Sequence, residues 1–345
     1  MKQRLYTLRN VAWAILAPLA VAAFGLSQAA AEPVKIRMHW ATTPGHWAPL
    51  IAAFPTSVQT NYGKSYVVEP VFIRGSGPAM QALAAGELEV TGLSPEAINL
   101  ALTQAKLDVT VVGQQFSTNV PGWGGSSFWV RKDSGIKKVE DLKGKIIGVN
   151  ARGATIDAAA QTMLLRHGLH DGKDYQIVEV RFPAQLAALQ SSRVDLAILL
   201  RAWEQKAKQD ANLMPLFSMG DAIGPNETIT WVTKTSWLKA NRAAVVDMIE
   251  DSIRARRWAA SKEGHDKAVE IAARITKRPA KELMYAWTHE DNYYDPNAMV
   301  NVKRLQKNID DLVRIKLLKQ SVDVSKHVDT SIAEEAAKRV NKEQM

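Results

Sequence analysis

From Glu32 onward, short apolar runs alternate with longer stretches of helical period. VKIRMHW (Val34 to Trp40) and VVEPVFIRG (Val67 to Gly75) predict two strands, with a helix between them over Ala48 to Asn61. Pro78 predicts a helix start running through Ala85, because its fixed φ and missing N–H suit a first turn. LEVTGLS (Leu88 to Ser94), a helix from Pro95, and LDVTVVG (Leu107 to Gly113) continue the alternation. Strand and helix in this order predict an α/β fold whose largely parallel sheets are covered by helices.

The rhythm breaks at Gln114 to Ser127, which holds Pro121 and three glycines, and again at Met219 to Asn226. Between the breaks lies a second set: SFWVRK, IIGVN, a helix from Thr155 to His167, YQIVEV, a helix from Pro183 to Gln190, and VDLAILL. Thr155 suits an N-cap, and Gly168 the left-handed position after the helix. TITWVT (Thr228 to Thr233) follows, and from Ser236 the pattern is almost wholly helical, with Leu305, Ile309 and Leu312 on one face. The expected organisation is a discontinuous first lobe (32–115 and 219–345) and a second lobe (116–218). Two crossings beside a cleft would make a hinge.

The first 31 residues read differently. Lys2, Arg4 and Arg9 precede an uncharged run from Val11 to Leu26, and SQAAA ends the segment before Glu32. That order predicts a secretory signal cut after Ala31. The run of about sixteen residues is short of the ~20 that span a bilayer. With no cysteine there is neither a lipidation site nor a disulfide, which a periplasmic location permits. Losing the three basic residues lowers the formal charge from +9 to +6. The cations are scattered, and no basic arm points to nucleic acid.

Three phrases resemble a known family: RGSGPAMQALAAGELEVTGLSPEA (Arg74 to Ala97), GGSSFWVRKDSGIKKVEDLKGKIIGVNARGAT (Gly124 to Thr155) and QLAALQSSRVDLAILLRAWEQ (Gln185 to Gln205). They are similar to the periplasmic binding proteins of importers for nitrate, taurine and alkane- or aromatic sulfonates, and VDVSKHVDTSIAEEA resembles the tail of that group. The resemblance implies a two-lobed periplasmic binding fold of type II, one ligand in the cleft, and a membrane permease with a cytoplasmic ATPase as partner. A monomer is expected. A sensory protein that presents its ligand to a membrane receptor would need the same cleft and hinge.

In parallel sheets, ligands sit beyond the carboxyl ends of strands. His39, Trp40, Thr42, Thr43, His46 and Trp47 follow the first strand, and Arg74, Gly75, Ser76 and Gly77 follow the second. Backbone N–H groups of the Gly-Ser-Gly loop suit one face of an anion, and the family's ligand loop matches at Ser76. Ser94, Arg152, Thr155, Arg201 and Trp203 complete the candidate set. Each has a structural alternative: Ser94 and Thr155 as helix caps, Gly75 and Gly77 as turn residues, Arg74 and Arg201 as partners of Glu87 and Glu204. Glu204 is expected behind the pocket wall, since a carboxylate beside an anion is unfavourable unless paired. Of ten tryptophans, Trp40, Trp47, Trp123 and Trp203 fall in cleft segments, where they suit the apolar body of an organic anion.

Catalytic motifs are missing: no cysteine nucleophile, no His-Glu-x-x-His, no phosphate loop ending in Gly-Lys-Ser/Thr. GSGPAM lacks the glycine pattern and acidic partner of a dinucleotide loop. His167 and His170 flank Gly168 without an evident third ligand. No metal, cofactor or catalytic residue is expected. Related folds include enzymes of pyrimidine formation for thiamine, which the export signal disfavours.

Overall fold

The computed structural model describes residues 32–343. The expected export segment, residues 1–31, lies outside them. Strands β1 (Val34–Trp40), β2 (Tyr66–Phe72), β3 (Val90–Leu93) and β4 (Val109–Thr118) form one sheet with the late strand, β10 (Asn226–Lys234). β5 (Ser127–Arg131), β6 (Ile146–Val149), β7 (Gln176–Glu179), β8 (Leu196–Leu199) and β9 (Leu213–Ser218) form the other. The orders are β2-β1-β3-β10-β4 and β7-β6-β8-β5-β9.

Both sheets are mixed rather than largely parallel. β10 runs antiparallel to β3 and β4, and β5 runs antiparallel to β8 and β9. Each antiparallel strand directly follows a passage of the chain from one sheet to the other. The passages lie side by side: Met219 N–H donates to Ser126 O at 2.9 Å, and Asn119 Nδ2 to Gly224 O at 3.0 Å.

Helices cover the sheets: α1 (Ala48–Ile51), α2 (Ser76–Ala85), α3 (Pro95–Thr103), α4 (Thr155–Arg166), α5 (Phe182–Gln190), α6 (Arg201–Lys208), α7 (Met219–Ile223), α8 (Thr235–Ala259), α9 (His265–Thr276), α10 (Val302–Arg314) and α11 (Thr330–Glu343). Several expected boundaries move. α1 is one turn instead of the expected helix to Asn61, because Pro55 removes a donor and disfavours helix at Phe54. β4 extends through the glutamines where a break was expected, since β10 pairs with it as far as Thr118. Gln114 Oε1 accepts from Asp295 N–H at 2.8 Å, so the buried amide is satisfied. Among the described residues, 283–301 contain no helix beyond short turns, against the helical expectation.

The first sheet packs on α1, α8, α9 and α11 through residues such as Trp47, Trp231, Ile249 and Ile332. Arg256 is buried in that core between the rings of Trp47 and Trp231, each 5.2 Å away, and donates to Asp295 O and Gln114 O. Burial lowers its pKa to about 10, which leaves it charged at neutral pH. Buried Asp251 on α8 accepts from the backbone of Asn61 and Tyr62 and the hydroxyl of Tyr66, tying the turn before β2 to the helix. Leu305, Ile309 and Leu312 of α10 are buried as expected.

Candidate functional site

Loops after β1, β2, β6 and β8 meet the segment 278–292 around a cavity of about 120 Å³. Residues of both sheets' loops touch there. Gly75, with φ +79° and ψ 164°, brings α2 against the other sheet's loop. A Cβ on Gly75 would lie 2.5 Å from Ala151 Cβ, so only glycine permits this approach.

Gly75, Ser76, Thr155, Arg201 and Trp203 of the candidate set line this inner cavity. Ser76 opens α2, and its Oγ accepts from Ser94 N–H at 3.1 Å, leaving its own hydrogen to donate elsewhere. Thr155 begins α4, one residue after the position at which it was expected to cap, and its side chain lies beside the buried Glu96 carboxyl. Arg201 opens α6 and lies 3.5 Å from Glu204, while its Nε is buried without a partner. Glu204 is buried and also approaches Lys208 at 3.4 Å, so it sits behind the wall in a paired state.

Other candidates lie elsewhere. Trp40 lines a larger outer chamber of about 500 Å³, together with Arg74 and Trp203. Gly77 and Ser94 line neither space. Ser94 is fully buried and serves α3 and Ser76 from behind. Arg152 lines neither cavity; it pairs with Asp157 at 3.1 Å and with Asp171. Trp47 is core, and Trp123 packs on His289 and Tyr293 rather than in the cavity. His167 pairs with Glu140 at 2.7 Å. The described residues contain no group of three or more His, Cys, Asp or Glu placed to hold a metal ion.

The sequence did not reveal the contribution of Arg278, Tyr285, Asp291 and Asn292. They come from an irregular stretch with no motif, held in place by its own bonds. Arg278 lies 4.7 Å over the Trp203 ring and pairs with Glu282 at 3.2 Å. Asp291 is buried, which raises its pKa to about 6. Trp287 N–H, Asn292 N–H and the Tyr294 hydroxyl donate to it, so the carboxylate orders the loop.

Two neighbouring histidines stay neutral. Burial lowers His39 to about 4 and His46 to about 3, and their rings are 5.2 Å apart. His39 Nδ1 accepts from Gly92 N–H, so Nε2 carries the hydrogen donated to Ile73 O at 3.0 Å. The cationic groups lining the inner cavity are therefore Arg201 and Arg278, against the single carboxylate of Asp291.

Solved structures with the same architecture include the alkanesulfonate-binding protein SsuA of Xanthomonas axonopodis pv. citri bound to MOPS. It is 18% identical, with a TM-score of 0.67 over 87% of this chain and 99% of that one. The periplasmic nitrate-binding protein NrtA of Synechocystis is 15% identical, with a TM-score of 0.70 over 90% and 89%. The desulfurization enzyme DSZB is 16% identical, with a TM-score of 0.61 over 89% and 99%. Identities this low establish the fold, which both binding proteins and an enzyme use. A comparison with curated sequences finds no match. The family model described as NMT1/THI5 like matches residues 68–263, more than half of the chain and parts of both sheets, and the chain therefore belongs to the NMT1/THI5-like family.

Proposed function

We propose that this chain is the periplasmic solute-binding component of an ABC importer and that it binds a small organic anion. Residues 1–31 direct export and are removed. Residues 32–115 and 219–345 make one lobe, residues 116–218 the other, and the adjacent passages at 119–126 and 219–225 let the lobes close on the solute. The permease with its ATPase is the partner. The observation that carries the reading is the inner cavity. Arg201, after β8 of one sheet, and Ser76, at the start of α2 on the other, both line it, which supports a charge and backbone donors supplied from both sides. Trp203 supplies an apolar wall.

Capture, not catalysis, is the role proposed, and the similarity to sulfonate- and nitrate-binding structures supports it. Asp291 in the same lining favours one alternative, a neutral or zwitterionic solute. Calorimetry on sulfonates, carboxylates, nitrate and neutral analogues separates the two. An organic acid is expected to bind tightest, and R201A to weaken it about tenfold or more, since a charge-assisted hydrogen bond contributes ~1.5–3 kcal/mol. A neutral compound binding tightest, or an unchanged affinity in folded R201A, refutes the anion assignment.

A further inference from the structure

The inner cavity is small for an aromatic acid. An apolar space of roughly 150 Å³ holds one benzene ring, so about 120 Å³ accommodates an acidic head and little more. The lining continues outward: Thr43, Gly75, Asn150, Phe182, Trp203 and Arg278 are among the residues that border both the inner cavity and the outer chamber of about 500 Å³. A solute with its head on Arg201 would pass its body between Phe182 and Trp203.

The outer chamber has its own chemistry. Trp40 and Phe72 meet edge to face at 5.1 Å on one side. Phe72 is 53% exposed, one of two large exposed hydrophobics among the described residues, and it faces this space. Four cations line the chamber, Arg74, Arg181, Lys206 and Arg278, against the one carboxylate of Glu282. Glu282 already pairs with Lys206 at 3.0 Å and Arg278 at 3.2 Å. Arg74 follows β2 of one sheet, and Arg181 follows β7 of the other. Neither side chain has a hydrogen bond or ion pair among the described residues, although Arg181 O accepts from Ala184 N–H at 2.8 Å. Exposed arginines are commonly just solvated. Here they come from opposite sheets to border one aromatic-walled chamber that continues the inner cavity.

We infer that the outer chamber is a second acid-binding subsite, and that the preferred solute is an aromatic compound with two anionic groups. This rests on the anion reading above. Arg201 takes the inner acid, the aromatic walls take the ring, and Arg74 with Arg181 takes the outer acid.

Calorimetry would compare benzenesulfonate with two diacids of different length, 4-sulfobenzoate and 2,6-naphthalenedisulfonate. At least one diacid is expected to bind tenfold or more tighter than the monoacid. R74A and R181A should each weaken that diacid about tenfold and leave benzenesulfonate unchanged, whereas R201A should weaken both. Both arginines are exposed, and circular dichroism would confirm that the variants fold. If benzenesulfonate binds through Arg201 and neither diacid gains, or if the R74A/R181A double variant leaves the diacid unaffected, the second subsite falls while the anion reading stands. If no acid binds, or benzamide binds tighter than all three, both fall.

Discussion

Replacing Gly75 by alanine tests whether contact between the two loops is needed for binding. Its φ of +79° and ψ of 164° lie in a region essentially restricted to glycine, where another residue costs on the order of 1–3 kcal/mol. That strain applies in every arrangement of the chain. A second cost arises only when the loops touch. The new Cβ would stand 2.5 Å from Ala151 Cβ, whereas carbon atoms pack best at roughly 3.5–4.0 Å. About 1 Å of separation must therefore be absorbed at the mouth of the inner cavity. Gly63 is the control: it shares the φ of +79°, and nothing lies within 4 Å of its added Cβ. G63A should lower the melting temperature by a few degrees and leave affinity for the tightest acid unchanged. G75A should also lower the melting temperature, and should weaken affinity at least tenfold, or ~1.4 kcal/mol. Thermal melts and calorimetry on both variants give the two readouts. Wild-type affinity in folded G75A would refute the idea that this contact belongs to the bound state.

Two predictions concern stability. Burial raises Glu96 on α3 from 4.5 to about 7, with nearby Asp157 of α4 adding to the shift. The folded chain thus holds a proton there that the unfolded chain has lost, so stability should fall as pH rises from about 4.5 to about 7. E96Q should reduce the slope of melting temperature against pH and exceed wild type above pH 7; parallel slopes would contradict this. Arg256, between two tryptophan rings and bonded to two backbone carbonyls, should cost ~3 kcal/mol or more when changed to alanine, through the void and the unpaired acceptors. Urea denaturation reads that loss, and a value below about 1 kcal/mol would dismiss the buried cation as a stabilising element.

The strand pattern was legible because each strand is a short apolar run between turn residues. VKIRMHW coincides with β1, and SFWVRK with β5 to within one residue. Polar residues hid the rest. Gln114 and Gln115 read as the start of a loop, yet they are buried in β4, with the ladder to β10 and the contacts to Asp295 and Trp47 using their polarity. β9 went unnoticed because LMPLFS contains Pro215, tolerable on an edge strand such as this one. At the site, glycine loops and helix starts were readable because backbone geometry demands particular residues there. The pairing of Arg152 with Asp157 and Asp171 was not legible, since these partners come together in the fold. Arg278 and Asp291 reach the cavity through tertiary contacts that leave no local spacing.

The place of β10 also sets an order of events for the newly made chain. β3 and β4 do not pair with each other; β10 lies between them, and Thr228 meets Thr118 across a separation of 110 residues. Until that strand arrives, β4 has no neighbour in its sheet and β3 keeps one side open. The other sheet is built from the continuous span between Ser127 and Ser218 and needs nothing from outside it for its hydrogen-bonded ladder. Long-range pairing is slow because loop closure must be met before contacts repay it. The middle of the chain is therefore the part able to mature first, and the first strands made wait, with open edges, for the last.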